Sequence, residues 1–165
     1  IPADAVPISE EQWQVLVVGV NQLRLAIEHV DGVPTLVDRP PPALADARRI
    51  AVGRLREACA EAIVAGFECD ALGEVRAYPF SDDDQRNLLL AAAAASTAAD
   101  QAWSTPLWCR DEAGKWDFAR HSVHQVHAVV TAGQLAVANH QTRLAMLTAA
   151  VAGADSLAAI AALAW

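Results

Sequence analysis

Three histidines, His121, His124 and His127, have a spacing that could bind a metal ion. Side chains three residues apart are neighbours on a helix, so His124 could share an ion with either of the other two. Over all three residues, however, the side chains turn by about 120° around a helix axis. No acidic residue follows to complete the ligand set, and the HExxH motif is absent. The sequence therefore predicts no metal site and solvated histidines at a helix start, with a metal-dependent enzyme as an alternative.

Other residues that could do chemistry have simpler explanations. The aspartates 82–84 follow Ser81 at a predicted helix start, where the helix dipole favours negative charge. They lack the alternating oxygens and the terminal glutamate of a calcium loop. Ser96, Thr97 and Asp100 have no nucleophile-elbow sequence beside them, and the glycines form no phosphate-binding loop or dinucleotide fingerprint. The sequence predicts no catalytic residue, no cofactor and no enzyme activity.

The composition of the 165 residues indicates a folded, acidic protein. Hydrophobic residues make up 54% and charged residues 19%, which excludes a disordered chain. The formal net charge of −8 provides no basic field for a nucleic acid. The most apolar stretch, 87–99, is too short to cross a membrane, and the chain shows no signal peptide. Because it begins at Ile1 without an initiator Met, we expect a fragment of a longer protein.

The cysteines give a further indication of the environment of the protein. Cys59, Cys69 and Cys109 are odd in number, widely spaced and without a CxxC pair. This pattern is not that of a disulfide framework, a zinc site or a redox motif. We interpret the three residues as buried, small apolar side chains in a reducing compartment.

Residues 1–42 are predicted to form a first domain, made of a short helix, a β-hairpin and a proline-rich linker. Ser9 and Gln12 have the spacing of a capping box. The pair Asp31-Gly32 lies between two apolar runs and predicts a hairpin turn. A helix and a hairpin cannot bury much on their own, so the apolar stripe of the helix is expected to meet either a partner or the rest of its own chain. That stripe, the predicted partner-binding site, consists of Trp13, Leu16, Val17 and Val20.

Residues 43–165 are predicted to form a second domain, and the predicted fold class is α+β, mainly α. We expect a bundle of about three long helices with two small β-hairpins, whose four strands could pair as one antiparallel sheet. The third helix, 122–152, contains one formally charged residue and is expected to pack on the first two helices, which begin near Ala43 and Asp82. A homo-oligomer through this helix is also expected. Its apolar heptad seam consists of Val123, Val126, Val130, Gly133, Val137, His140, Leu144, Leu147 and Val151.

The N-terminal residues also follow a known sequence pattern. The pattern runs through Val6-Pro7-Ile8-Ser9-Glu10-Glu11-Gln12-Trp13-Gln14-Val15-Leu16, Gly19, Ile27, Asp31-Gly32-Val33-Pro34-Thr35-Leu36-Val37 and Pro40-Pro41-Pro42. It resembles the C-terminal stretch of phage tail-fibre assembly proteins, which are chaperone-like. In that stretch an IS-x-x-Q-W helix precedes a DG-x-P-x-L hairpin and a proline run. Leu23 and Arg24 stand where that family usually has Gly and then Lys.

The rest of the chain resembles, more loosely, a helical domain of unknown function that recurs in phage tail-associated proteins. The resemblance is carried by Arg48-Arg49, Asp84-Gln85-Arg86-Asn87-Leu88, Trp116-Asp117-Phe118, and the closing pattern of Leu144, Leu147, Val151 and Ser156-Leu157-Ala158-Ala159-Ile160. No catalytic residues are assigned for that family.

Together the two resemblances imply a phage or prophage tail-fibre assembly or attachment protein that acts by protein–protein binding. The implied partner is a tail-fibre protein, and neither a nucleic acid nor a membrane is expected. The implied location is the cytoplasm of the bacterial host during assembly, or the virion tail. The alternative within the same class is a distal or accessory structural domain of a tail protein.

Overall fold

The chain folds as two units, unit 1 and unit 2, which are divided between Ala43 and Leu44. The computed structural model describes residues 7–21, 25–100 and 102–165. Leu23 and Arg24, where the sequence departs from the tail-fibre pattern, lie outside the described residues. Residues 38–43, which include the proline run, form neither helix nor strand.

Unit 1 contains a helix followed by an antiparallel hairpin. Its elements are α1 (Glu10–Asn21), β1 (Ala26–Val30) and β2 (Val33–Val37). At the start of α1, the Ser9 backbone N donates to Gln12 Oε1 over 2.9 Å, and the Gln12 backbone N donates to Ser9 Oγ over 3.2 Å. Asp31 and Gly32 have φ angles of 52° and 79°, as a two-residue type I′ turn requires. The predictions of the capping box and of the hairpin are therefore confirmed.

The helix of unit 1 packs on its hairpin at a glycine. Gly19 is buried, and a Cβ atom at this position would overlap the Leu36 side chain of β2. Leu16, which lies three residues earlier on the same side of α1, is also buried. The Gly19 carbonyl oxygen accepts a hydrogen bond from the Leu25 backbone N over 3.0 Å, just before β1. The side of α1 that carries Leu16 and Gly19 therefore faces the hairpin.

Unit 2 combines helices with a four-stranded antiparallel sheet. In chain order its elements are α2 (Leu44–Val64), β3 (Phe67–Cys69), β4 (Arg76–Tyr78), α3 (Asp82–Thr97), β5 (Ser104–Arg110), β6 (Trp116–Ser122), α4 (Val123–Gly153) and α5 (Leu157–Ala161). The strands follow the order β3-β4-β5-β6, so the expected pairing of four short strands in one sheet is confirmed. Ser81 and Ser122 begin α3 and α4 with capping boxes to Asp84 and Gln125. The interpretation of the aspartates 82–84 as residues of a helix start is confirmed.

The prediction of a bundle of about three long helices is wrong. Within the described residues the chain forms five helices and two antiparallel sheets, of two and four strands. The helices α2 and α3 both contact α4, but at different places along it. Ala51 and Leu55 of α2 pack beside Val151, whereas Ala91 of α3 packs beside Val126. A heptad seam indicates that one side of a helix is buried, but it does not indicate whether helices or strands cover it.

The four-stranded sheet covers the part of α4 around Val129 and Ala136, which the bundle prediction had expected other helices to cover. Val129 of α4 is fully buried in a cluster with Phe67, Tyr78 and Cys109 of the strands. A Cβ atom at Gly133 would lie 3.1 Å from the Phe67 ring, so the glycine permits close approach of the sheet. All nine residues of the predicted seam are buried or half-buried, which confirms that the seam faces the interior of unit 2.

The two ends of unit 2 meet at the C-terminal end of α4. The side chain of Arg48, near the start of α2, donates through Nη2 to the Ala154 carbonyl oxygen over 2.6 Å. This bond satisfies a backbone group that the end of a helix leaves without an intrahelical partner. Ile160 of α5 is buried in the same cluster as Leu55 and Val151. The first and last helices of unit 2, α2 and α5, therefore pack together beside the C-terminal end of α4.

The cysteines are unpaired, and their burial differs from one to another. Cys59 and Cys109 are buried, as expected, whereas Cys69 is half-buried. Among the described residues, no helix combines the length and the apolar character needed to cross a membrane.

Two glycine substitutions test the backbone of unit 2. Gly66 has a φ angle of 101°, and a Cβ there would overlap the Tyr78 carbonyl oxygen. We expect Gly66→Ala to lower the free energy of unfolding by about 1–2 kcal/mol or more. The matched control is Gly53→Ala inside α2, where nothing lies within 4 Å of the added Cβ. That variant should gain about 0.5–1 kcal/mol. Urea titration measures both effects, and a Gly66→Ala variant as stable as wild type would contradict this backbone.

Candidate functional site

His121 of β6 and Tyr78 of β4 form a buried, hydrogen-bonded pair. The Tyr78 hydroxyl lies 2.8 Å from His121 Nε2, and His121 Nδ1 lies 2.9 Å from the Ala119 carbonyl oxygen. Because a carbonyl oxygen only accepts, Nδ1 carries the proton, and Nε2 accepts from the tyrosine hydroxyl. Both ring nitrogens of His121 are therefore occupied by groups of the protein itself.

The surroundings of this pair favour the neutral forms of both residues. Burial lowers the pKa of His121, and the positive charge of Arg76 lowers it further, whereas the hydrogen bond to the backbone opposes both effects. Burial also raises the pKa of Tyr78. Arg76 itself contacts the Glu74 carboxylate and donates to Cys109 Sγ over 3.8 Å. Since His121 and Cys109 are fully buried, they support the sheet from inside unit 2, whereas Glu74 is exposed.

The three histidines of the sequence pattern do not come together. His121 lies on β6 and is fully buried, whereas His124 and His127 lie exposed on the first turns of α4. The expectation that all three are solvated residues of a helix start is therefore wrong for His121. The reason is that the strand continues to Ser122, so His121 belongs to the sheet and faces its buried side. In the ranges that the structure describes, no group of three His, Cys, Asp or Glu could hold a metal ion.

The four predicted partner-binding residues share one stripe of α1 but differ in exposure. Trp13 is 53% exposed, whereas Leu16 is buried beside the hairpin. Val17 and Val20 are half-buried. Leu16 therefore anchors the helix within the fold, and Trp13 is the residue of the stripe that is most available to a partner.

A groove of about 480 Å³ lies between α1 and β2 in unit 1. Its walls are formed by Glu11, Gln12, Val15, Leu16, Pro34, Thr35 and Leu36. Most of these side chains are apolar, and Val15 at the edge of the groove is exposed. The sequence pattern did not indicate the groove, because it arises only where the helix is packed on the hairpin at Gly19.

Three aromatic side chains form an exposed cluster on one face of the β5–β6 hairpin. The sequence pattern included Trp116 and Phe118 but did not connect them with Trp108. The Trp108 ring lies 6.1 Å from the Trp116 ring at an angle of 12°, and 4.7 Å from the Phe118 ring. The Arg110 guanidinium lies 5.5 Å from the centre of the Trp116 ring. Each strand contributes two side chains that are two residues apart: Trp108 and Arg110 on β5, and Trp116 and Phe118 on β6. This alternation was the signal that could have revealed a shared face.

The aromatic cluster forms one wall of a groove of about 410 Å³, and α3 forms the other. The apolar lining consists mainly of Leu88, Leu90, Ala91, Ala94, Pro106, Leu107, Trp108 and Phe118. Asp84, Asn87 and Thr105 add polar groups to the lining. An apolar surface with exposed tryptophans is typical of protein-binding sites.

Comparison with known proteins provides no relative for this chain. No protein-family model matches it, and no curated protein and no solved structure matches it either. The resemblance to phage tail proteins therefore depends on the residues quoted above.

Metal removal tests the histidine assignment. We expect an excess of EDTA to leave the melting temperature unchanged, because His121 already uses both ring nitrogens within the sheet. A bound structural ion, in contrast, contributes several kcal/mol to folding. Thermal melts with and without chelator measure the difference, and elemental analysis of the purified protein is the control. Stoichiometric zinc, or a drop of many degrees with EDTA, would overturn the assignment.

The lowered pKa of His121 predicts a pH-dependent contribution to stability. In the unfolded chain a histidine titrates near pH 6.5, and in the folded chain His121 takes up its proton only at lower pH. The unfolded state therefore binds more protons as the pH falls below about 6.5, and the contribution of His121 is lost. We expect His121→Gln to be most destabilising near pH 7–8 and less so towards pH 5. Urea titrations across that range test this. A difference from wild type that stays constant with pH would contradict it.

Proposed function

We propose that this chain acts by protein–protein binding, as a phage or prophage tail-fibre assembly or attachment protein, and that Trp13 is its main contact residue. The observation that carries the proposal is that α1 leaves Trp13 exposed while the neighbouring side of the helix, with Leu16 and Gly19, packs on the hairpin. Residues 6–42 carry the resemblance to the tail-fibre assembly pattern, and they lie within unit 1, which ends at Ala43.

The position of Trp13 suits a binding role in energetic terms. Tryptophan is among the residues that contribute most to protein–protein interfaces, because it buries a large rigid surface. In unit 1, the anchoring of α1 by Leu16 and Gly19 fixes the direction in which Trp13 projects. Little conformational entropy is then lost when a partner covers it.

A tail fibre is a suitable partner for such a surface. A fibre folds as an interwound trimer, and before completion its chains expose apolar surface and unpaired strand edges. An assembly factor would cover these surfaces until the trimer is complete. The net charge of −8 would limit non-specific binding of the factor to nucleic acid in the host cytoplasm.

The second candidate, an accessory structural domain of the tail, is favoured by the aromatic cluster of unit 2. Trp108, Trp116 and Phe118 are exposed together, and a permanent neighbour in the virion would cover them. The two candidates differ in where the protein is found. An assembly factor is absent from purified virions, whereas a structural domain remains in them in stoichiometric amount.

The substitution Trp13→Ala tests the proposal. The side chain is 53% exposed, so we expect the free energy of unfolding to fall by about 1–2 kcal/mol, less than the roughly 3–5 kcal/mol of a buried tryptophan. We expect binding to a tail-fibre protein to weaken by about tenfold or more. Co-expression with that fibre, followed by pulldown and by the yield of soluble trimer, measures the loss.

The matched control is Val18→Ala, which removes an exposed apolar side chain from another side of α1. This variant should bind and assemble the fibre as wild type does. If Trp13→Ala melts at a much lower temperature and the yield of fibre falls only in proportion, Trp13 is a packing residue. If wild type does not bind the fibre at all, the proposed function is wrong.

A further inference from the structure

The side of α4 that faces away from the interior of unit 2 is exposed along most of the helix. It lies opposite the buried residues Val126, Val129, Gly133 and Val151. Its exposed positions again recur three and four residues apart, as in a second heptad seam, except that Ala145 and Met146 are adjacent. This outer seam consists of Ala128, Thr131, Leu135, Ala138, Thr142, Ala145, Met146 and Ala149.

The outer seam is apolar in a way that solvent-exposed helix faces rarely are. Leu135 is 61% exposed and Met146 is 69% exposed. The remaining members are alanines and threonines, and the Thr131 hydroxyl donates to the His127 carbonyl oxygen over 2.9 Å. That hydroxyl can therefore be covered without losing its hydrogen bond.

The charge distribution indicates what can cover this seam. The chain carries a net charge of −8, so two copies repel each other over most approaches. Between Val123 and Gly153, however, α4 contains no carboxylate, and Arg143 is its only formal charge. The Arg143 guanidinium lies 4.9 Å from the centre of the Trp165 ring, which places this charge beside the outer seam and not within it. When α4 of a second copy lies on this face, neither helix therefore places a carboxylate against the other.

We infer that α4 pairs with α4 of a second copy of this chain, antiparallel, through the outer seam. Side-chain sizes along the seam favour this arrangement. With the two-fold axis between Ala138 and Asn139, Leu135 of one copy lies opposite Thr142 of the other. Met146 then lies opposite Thr131. Each large side chain meets a small one, and each pair occurs twice, as an isologous interface requires.

A parallel arrangement lacks this fit. It places Leu135 against Leu135 and Met146 against Met146, with alanines opposite alanines between them. It also aligns the two helix dipoles in the same direction, whereas antiparallel helices place the positive end of one beside the negative end of the other. The size pattern and the dipoles therefore favour the same orientation.

The dimensions of α4 are those of a reversible dimer. The outer seam, from Ala128 to Ala149, extends over about 33 Å, and a helix is about 10 Å wide. Two copies laid along this length cover about 650 Å² in total, less than the roughly 1,000 Å² of a stable specific interface, so the contact is weak. Such a contact forms and dissociates with concentration. The dimer does not depend on the fibre contact of Trp13.

Sedimentation velocity of this chain over a range of concentrations tests the inference. We expect wild type to shift from monomer to dimer as the concentration rises to about 100 μM. Leu135→Glu should raise the dissociation constant by at least about tenfold, because it places two carboxylates in the seam. The matched control is Leu89→Glu on α3, where the original side chain is 70% exposed. That variant has the same change of charge and should dimerise as wild type does. Circular dichroism melts check that both variants fold.

A second substitution tests the antiparallel register. Adding Thr142→Lys to Leu135→Glu places opposite charges across the antiparallel interface, and we expect it to restore dimer formation. In a parallel pair the same two changes would bring like charges together. Disulfide trapping gives an independent reading: Ala138→Cys should cross-link copies at the two-fold axis. Thr131→Cys should not, because its two copies lie about 22 Å apart. Oxidised wild type gives the background from the native cysteines.

Each outcome decides the inference. A wild-type chain that stays monomeric at 100 μM overturns it, and so does a dimer that Leu135→Glu leaves intact. Efficient cross-linking of Thr131→Cys alone, or failure of the double variant to recover, overturns the antiparallel register. Because no fibre protein is present, none of these outcomes depends on whether the proposed function is correct.

Discussion

The buried side of α4 is the constraint on which unit 2 depends. Three hydrophobic clusters each contain a valine of this helix that is fully buried: Val126 beside α3, Val129 beside the sheet, and Val151 beside α2 and α5. The other elements of unit 2 are positioned by these contacts. Ser122 strengthens the arrangement, because it is both the last residue of β6 and the N-cap of α4. Strand and helix are thus joined without a loop.

Local features of the fold could be predicted where they depend on residues close together in the chain. The capping pair Ser9 and Gln12, the helix start at Ser81 and the turn at Asp31-Gly32 each result from contacts over three residues or fewer. The burial of the inner seam of α4 could also be predicted from its periodicity. The partner of that seam could not, because a valine packs equally well against a helix or a sheet. For that reason the helical bundle was wrong while the seam was right.

The candidate sites show the same limit. Tyr78 and His121 are separated by 43 residues, and no spacing rule connects them, so the sequence predicted a solvated histidine at a helix start where the structure has a buried hydrogen bond. Trp13 was identified because helical periodicity placed it in an apolar stripe. Periodicity could not show that Leu16, in the same stripe, would be covered by the hairpin while Trp13 stayed exposed. The two-residue alternation along β5 and β6 could have revealed the aromatic cluster at Trp108, but the predicted hairpins were too short to make that alternation evident.

The hydrogen bond from Arg48 to the Ala154 carbonyl oxygen spans 106 residues, and the cluster of Ala51, Leu55, Val151 and Ile160 spans a similar length. The β5–β6 hairpin and the start of α4, in contrast, are local. Closing a long loop costs conformational entropy before its contacts form, so the cluster at the two ends of unit 2 has the higher contact order. During synthesis the apolar side of α2 therefore stays uncovered until the ribosome has released the chain to about residue 160.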